Sequence, residues 1–412
     1  MPTRRCRVLI SGASVAGPVL AYWLQRFGFS PTVVERTPEL RLGAGGHAVD
    51  LFGPAVTLME WMGTLAEIEA NRTRTRLISL VRPGRPPVEA AADGLAEGVS
   101  SKHIEIMRGD LAKIIYELAR ENVEYVFDDS VATLQQSGTE VQVTFERNAP
   151  RTFELVVGAD GLHSTTRRMV FGDEHEYLRF LGGYLAVFTV PNYLNLTDRM
   201  MTSARPGRTA ALYPVGDGAE ARVVLLWRTP TPHDYDRHSA GSERQLLRNL
   251  YDDFGWELPR LLCELERSDD LYLDSISQVV MPTWSRGRVS LVGDAGYAPG
   301  PAVGGGTSLA IIGAYMLASE LAVAHGDHSQ GFAAYERALG PVVQHSRSIG
   351  PTVMKLIIPR SRAQIWTMAQ AMHVLPHLPT SLRQRITSFG GSAAAMLNEA
   401  RLRQPHDLLS EG

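Results

Sequence analysis

The sequence predicts an α/β protein with a parallel sheet, a β-rich insertion and a helical C-terminal segment. Three observations carry this. A β-α-β unit opens the chain, with a strand at Arg7 to Ser11, a helix at Pro18 to Phe27 and a strand at Pro31 to Glu35. A second strand–turn–helix passage runs from Arg288 to the helix that begins at Thr307. Between them, short β-rich runs separated by turn residues fill the stretch from Tyr177 to Ser277. A β-α-β unit this short makes the sheet parallel where it falls.

Composition narrows the class. The chain has 412 residues, 44% hydrophobic and 21% charged, which is globular and long enough for two or three domains. A net charge of -3 gives no reason to expect nucleic acid or a membrane surface as partner. Two cysteines, Cys6 and Cys263, exclude a disulfide framework and a cysteine-built metal centre, and no metal site is expected. The long apolar stretch from Val303 to Ala324 contains Thr307, Ser308, Ser319 and Glu320. It reads as a buried helix, not a span, and the expected location is cytoplasmic.

The elements follow in order. Gly28 ends the first helix. Gly53 to Met62 suits a short helix, and Val81 to Gly98, with three prolines, a loop or weak hairpin. Gly109 to Arg120 carries Leu111, Ile114, Ile115 and Leu118 at helical spacing. Val123 to Phe127, Glu140 to Phe145 and Thr152 to Val157 read as strands. In the insertion, Tyr184 to Val190, Thr209 to Val215 and Arg222 to Arg228 are strands, with helices at Gln245 to Phe254 and Leu258 to Glu266. Beyond Pro351, Ile365, Met368, Ala369 and Met372 form one apolar helix face. The expected domains are 1–176, an insertion at 177–277, a return to the first domain at 278–350, and a helical segment at 351–412.

Three motifs carry chemistry. Gly12-Ala13-Ser14-Val15-Ala16-Gly17 lies between the first strand and helix, where N–H groups and the helix dipole stabilise a pyrophosphate. Ser14 replaces the usual middle glycine. Glu35 ends the second strand and can accept both ribose hydroxyls, which makes the turn Rossmann-like. Gly293-Asp294 follows a strand and leads through glycines to Thr307; an aspartate there can hold a polyol and the glycines let backbone approach a planar ring. Asp160-Gly161, followed by His163, Ser164 and Arg167, reads by itself only as a turn.

In this order and spacing the motifs resemble the single-component FAD-dependent aromatic monooxygenases of the para-hydroxybenzoate hydroxylase type. The flavour is that of enzymes that hydroxylate polyketides or inactivate tetracyclines. The resemblance covers Arg7 to Leu321. It implies a Rossmann-like FAD-binding domain with an inserted substrate sheet. Gly12, Ser14, Val15 and Gly17 would line the pyrophosphate, with Glu35 on the adenosine ribose and Arg36 beside the adenine. Gly46 to Asp50 would lie near the pyrimidine edge of the flavin, and Arg108 would reach the ribityl–phosphate chain. Asp160 and Gly161 match a motif associated with both FAD and NAD(P)H. Asp294 would hold the ribityl chain, while Pro301, Gly304, Gly305, Gly306 and Thr307 would border the ring. Tyr297 departs from the histidine of many relatives. The implied chemistry is reduction by NADPH or NADH, then oxygen transfer from O₂ through a C4a-hydroperoxyflavin to an aromatic or polycyclic small molecule.

The substrate side is less defined. Phe188, Tyr213 and Trp227 can line its pocket or equally face a core. Arg228 can meet a phenolate or stay solvated. His47 can act as a base or only pack, and His163 reads as structural. The alternatives on the same fold are antibiotic inactivation, ring opening, dehydrogenation, or a flavin-binding partner without turnover. The oligomeric state is left open.

Overall fold

The computed structural model describes residues 6–40, 46–91, 103–233, 240–300, 305–374, 378, 397–398 and 400–409. Its central sheet has six strands in the order Ser285–Arg286, Val289–Leu291, Leu155–Gly158, Arg7–Ser11, Ser30–Val34 and Glu124–Val126. All neighbours are parallel except the outermost pair, Ser285–Arg286 with Val289–Leu291. Val8, Leu9, Ile10, Val33, Val156 and Val157 are fully buried, as continuous apolar strands require when both faces are covered.

The first helix is Ala16–Arg26, starting earlier than the periodicity indicates. The stretch expected as one strand from Thr152 divides. Arg151–Phe153 joins a three-stranded antiparallel sheet with Val131–Gln136 and Val141–Phe145, and Leu155–Gly158 enters the parallel sheet. Glu154 sits at the division, and its carboxylate takes the Arg7 N–H at 2.8 Å and the Arg7 guanidinium at 3.1 Å.

A seven-stranded sheet runs in the order Tyr272–Val279, Leu178–Pro191, Glu220–Arg228, Arg208–Val215, Arg199–Arg205, Leu77–Arg82, Arg85–Ala91. It therefore takes in a hairpin from the region read as loop or weak hairpin, joined by parallel pairing of Leu77–Arg82 with Arg199–Arg205. One face carries Tyr184, Ala186, Phe188, Leu212, Val223, Leu225 and Trp227 and is covered by the helices Ala240–Tyr251 and Leu258–Leu265. The opposite, inner face carries Leu185, Val187, Leu226 and Ile276, packed on Met354 of the helix His328–Ile357 and on Ile358 just past its end. Met368, Ala369 and Met372 of the helix Arg362–Val374 pack on Ile78, Leu80, Val88 and Ala90, so the apolar C-terminal face covers the hairpin.

The helix Gly306–Val323 is apolar on all sides and packs between the first helix and His328–Ile357. Its length and composition suffice to cross a membrane, but 78% of it is buried inside the protein. Burial of this kind is worth about 1.5–3 kcal/mol per large side chain.

Candidate active site

The candidate residues of the three motifs gather where the parallel strands end. Gly12, Glu35, Asp160 and Asp294 each follow the C-terminal end of a strand of the six-stranded sheet, the edge at which such sheets bind ligands. A polar concavity at the opposite edge, lined by Arg7, Ser30, Thr32, Glu124 and Arg151, is spanned by Arg7–Glu154 and Arg151–Glu124 ion pairs and is not part of this site.

Gly12 has φ +113°, and a Cβ there would lie 2.5 Å from the Ala159 carbonyl oxygen. Its N–H donates to Val34 O at 2.8 Å. A Cβ on Gly17 would lie 1.9 Å from Gly12 O, so only glycine lets the helix start against the turn. Ser14 Oγ accepts from Arg108 Nη2 at 2.9 Å. Glu35 Oε2 accepts from Ala13 N at 2.8 Å, and Oε1 accepts from Thr37 N at 3.1 Å and Thr37 Oγ1 at 2.9 Å. Three of about four acceptor sites are thus used. This leaves room for one further hydroxyl where the sequence suggested two. Arg36 is exposed beside it.

Asp160 is built into the fold. It accepts from Ser164 Oγ at 2.5 Å, Thr166 N at 2.8 Å and Thr166 Oγ1 at 2.9 Å, fixing the start of the helix Thr165–Phe171, while Gly161 turns at φ +80°. Arg167 is fully buried and donates to Leu162 O (2.7 Å), Ala295 O (2.9 Å) and Glu174 Oε2 (3.2 Å), joining the second and third motifs. His163 bridges Glu174 (2.9 Å) and Asp274 (3.1 Å). These carboxylates outweigh its burial and push its pKa up to about 9, which supports the structural reading.

Gly293, at φ +65°, sits between the first helix and Gly306–Val323; a Cβ there would lie 3.3 Å from both Ala16 Cβ and Ala310 Cβ. This brings Asp294 to the pyrophosphate-type turn. Asp294 keeps surface open to the cleft, yet the protein around it desolvates the carboxyl and raises its pKa, against the pull of Arg108. Gly305 adopts the left-handed conformation that opens the helix at Gly306, and Thr307 is half-buried. Pro301 and Gly304 lie outside the described residues.

Facing this edge is a two-stranded sheet, Ala48–Phe52 with His103–Met107, preceded by Gly46 and His47. Ser308 ties it down, donating to Asp50 O at 2.9 Å and accepting from Phe52 N at 3.0 Å. Val49, Leu51, Ile104 and Ile106 point into the core. Asp50 and Glu105 are paired on the other face, where Asp50 meets His103 Nε2 at 2.8 Å. Burial, then Asp50, raises the Glu105 carboxyl. Tyr213 Oη accepts from Ala48 N at 3.1 Å and so joins the seven-stranded sheet to this segment. Burial lifts its pKa to about 12. His47 Nδ1 is buried and unpartnered; burial, followed by Arg108, lowers its pKa to about 4 and keeps the ring neutral.

Three sequence candidates belong elsewhere. Phe188 and Trp227 lie on the helix-covered face, turned away from Tyr213, because alternate residues of one strand point to opposite faces. They are core residues. Arg228 is neither solvated nor at the site. It donates to Ile358 O at 2.7 Å and to Met354 O, capping the last turn of His328–Ile357. Tyr297 is buried against Trp284, and its hydroxyl accepts from Tyr335 Oη at 2.9 Å. Sequence reading missed Arg222, which pairs with Asp270 at 2.6 Å and influences His47 and Tyr213 from the inner face; its one signal was strand alternation with Tyr213.

The glycine cradles, the exposed Asp294 and the cationic Arg108 suit a dinucleotide with a polyol chain, and the fold defines a protein of the FAD-binding class. The FAD binding domain family matches residues 5–346. The chain is 44% identical over 343 residues to an uncharacterized protein of Mycobacterium tuberculosis, covering 82% of this chain and 91% of that one. It is 38% identical over 351 residues to a flavin-dependent monooxygenase of an unknown prokaryotic organism, covering 84% and 88%. The crystal structure of tetracycline destructase Tet(51) superposes with a TM-score of 0.81 at 33% identity, covering 97% of this chain and 100% of that one. The chain belongs to the FAD-binding-domain family of flavin-dependent monooxygenases, and FAD is its cofactor.

Proposed function

We propose that this monooxygenase uses NAD(P)H and O₂ to hydroxylate an aromatic or polycyclic, polyketide-like molecule bound between the cofactor cleft and the inner face of the seven-stranded sheet. The observation that carries this is the Tyr213–Ala48 hydrogen bond. It sets that face directly across from the segment beside the strand-end cluster.

In this reading the turn from Gly12 to Gly17 and Arg108 hold the diphosphate, Glu35 takes one ribose hydroxyl, and Arg36 lies beside the adenine. Asp294 holds the ribityl chain. Gly46 and Asp50 border the pyrimidine edge, and Gly305, Gly306 and Thr307 border the ring. Bound FAD supplies the redox chemistry that makes an oxygen atom of O₂ transferable. The chain's own residues orient the substrate and exclude water. His47, neutral with a pKa of about 4, offers a hydrogen-bond acceptor but is too weak a base to deprotonate a phenol near neutrality. Tyr213 keeps its proton and positions the loop.

The likeness to a tetracycline destructase favours a second reading on the same site, in which the molecule is an antibiotic inactivated by oxygenation. One experiment serves both. The purified yellow protein is incubated with NADPH or NADH under ¹⁸O₂ with phenols, aromatic polyketides and a tetracycline. Substrate-dependent NAD(P)H oxidation with one labelled oxygen in the product supports oxygenation, and the substrate that turns over chooses between the readings. Turnover without label would identify a dehydrogenation and refute both.

A further inference from the structure

Arg108 opens the helix Arg108–Ala119, and its N–H donates to His47 O at 3.3 Å. Its guanidinium makes one hydrogen bond, from Nη2 to Ser14 Oγ at 2.9 Å, and forms no ion pair among the described residues. It influences His47, Tyr272 and Asp294, so one unneutralised cation stands between Ser14 of the first motif and Asp294 of the second. Ser14 occupies the position where a side chain narrows the phosphate approach. An arginine can only donate, so the serine oxygen is the acceptor in this pair and its hydroxyl proton stays free to point elsewhere.

We propose that Ser14 and Arg108 form a two-part diphosphate clamp that exchanges one hydrogen bond on loading. Arg108 leaves Ser14 for the phosphoryl oxygens, and the Ser14 hydroxyl turns to donate to the same group. No covalent bond changes and the charge balance is Arg⁺ against the diphosphate. The serine thereby serves as a resting post for the cation and as a donor to the cofactor. This rests on the assignment of the Gly12–Gly17 turn to the diphosphate of FAD.

The exchange has a thermodynamic signature. Wild-type binding gains a serine bond and an arginine bond but gives up the bond between them. Each single variant loses one gain and is spared that sacrifice. The double variant loses both gains and is spared it only once. The combined loss must therefore exceed the product of the single losses.

The test uses the full chain stripped of FAD. FAD is titrated by fluorescence quenching into wild type, Ser14→Ala, Ser14→Gly, Arg108→Met and the double variant Ser14→Ala with Arg108→Met. Denaturation midpoints establish that each is folded, and Arg108→Lys provides a conservative second variant at that site. Arg108→Met weakens FAD by about tenfold or more, a charge-assisted bond being lost, and Ser14→Ala by a few fold. The double variant loses about fivefold beyond the product, the worth of one ordinary hydrogen bond. Strict additivity, or tighter binding by Ser14→Gly, overturns the exchange while leaving the site in place. Unchanged affinity in Arg108→Met and the double variant overturns the site assignment itself.

Discussion

His163→Gln tests whether the ion-paired histidine beside the Asp160-Gly161 turn holds the seven-stranded sheet to the parallel-sheet domain. Its imidazole lies between Glu174 and Asp274, and Tyr272 Oη also reaches Asp274, at 3.2 Å. A pKa raised from 6.5 to about 9 corresponds to at most about 3.4 kcal/mol of stability. The side chain is 35% exposed, so solvent screening reduces this to roughly 1–2 kcal/mol. Because the folded pKa is the higher one, this stability is fully present below pH 6.5 and is lost as pH rises through about 9. Glutamine keeps a hydrogen-bonding group but no charge. Arg167 remains on Glu174, so Asp274 is the carboxylate left without a cation. Urea denaturation of the two proteins at a series of pH values reads the difference. The gap between wild type and His163→Gln is expected to be widest near pH 6, to narrow through pH 9 and to close above it. A gap independent of pH would refute the imidazolium; no gap at any pH would refute the anchoring role.

Gly12→Ala places a Cβ against the Ala159 carbonyl at a positive φ and is expected to cost about 2–4 kcal/mol, read by denaturation of the FAD-free protein; a loss under 0.5 kcal/mol would contradict the packing. Gly313→Ala drives a methyl to 1.9 Å from Tyr297 Oη and is expected to lose about 1–3 kcal/mol; adding Tyr297→Phe recovers part of this in the thermal midpoint. Phe188→Leu is expected to lower stability by roughly 1–2 kcal/mol and leave the substrate KM unchanged, whereas a pocket residue would shift KM. Below pH 6 the rate profile is expected to show no ionisation of His47 until about pH 4, which a pH-resolved kcat/KM series checks.

The parts of the site that sequence made legible are those set by local physics. A glycine turn between an apolar strand and a helix, or an acid just past a strand end, is specified within a dozen residues. Gly12, Glu35 and Asp294 were readable for that reason, whereas Asp160 read by itself only as part of a turn. What sequence left open depends on residues far apart. Ser14 and Arg108 meet across 94 positions, and Tyr213 reaches Ala48 across 165. Phe188 and Trp227 share a face only through the pairing of Leu178–Pro191 with Glu220–Arg228, and both faces are apolar, so no polarity marked which one the helices Ala240–Tyr251 and Leu258–Leu265 would cover. Tyr213 is one register position from Leu212, and that single step puts it on the inner face.

Tyr297 shows how far a departure from the family pattern reaches. The family resemblance marked it only as a departure from the histidine of many relatives. In the fold it points into the core, and three neighbours are arranged around its hydroxyl: Tyr335 donates to it, Trp284 packs on its ring, and Gly313 supplies the space. A phenol needs a partner when buried, and this one has it. The turn Asp294–Tyr297 is thereby fixed at both ends, by Gly293 between two helices and by Tyr297 in this cluster. The tyrosine thus supports the turn that carries Asp294, which the proposed site uses for the cofactor. In the proposed reading, substrate preference then rests with the inner face of the seven-stranded sheet, where Tyr213 and Arg222 pair, and with Asp50 and Glu105, whose charges act on Tyr213.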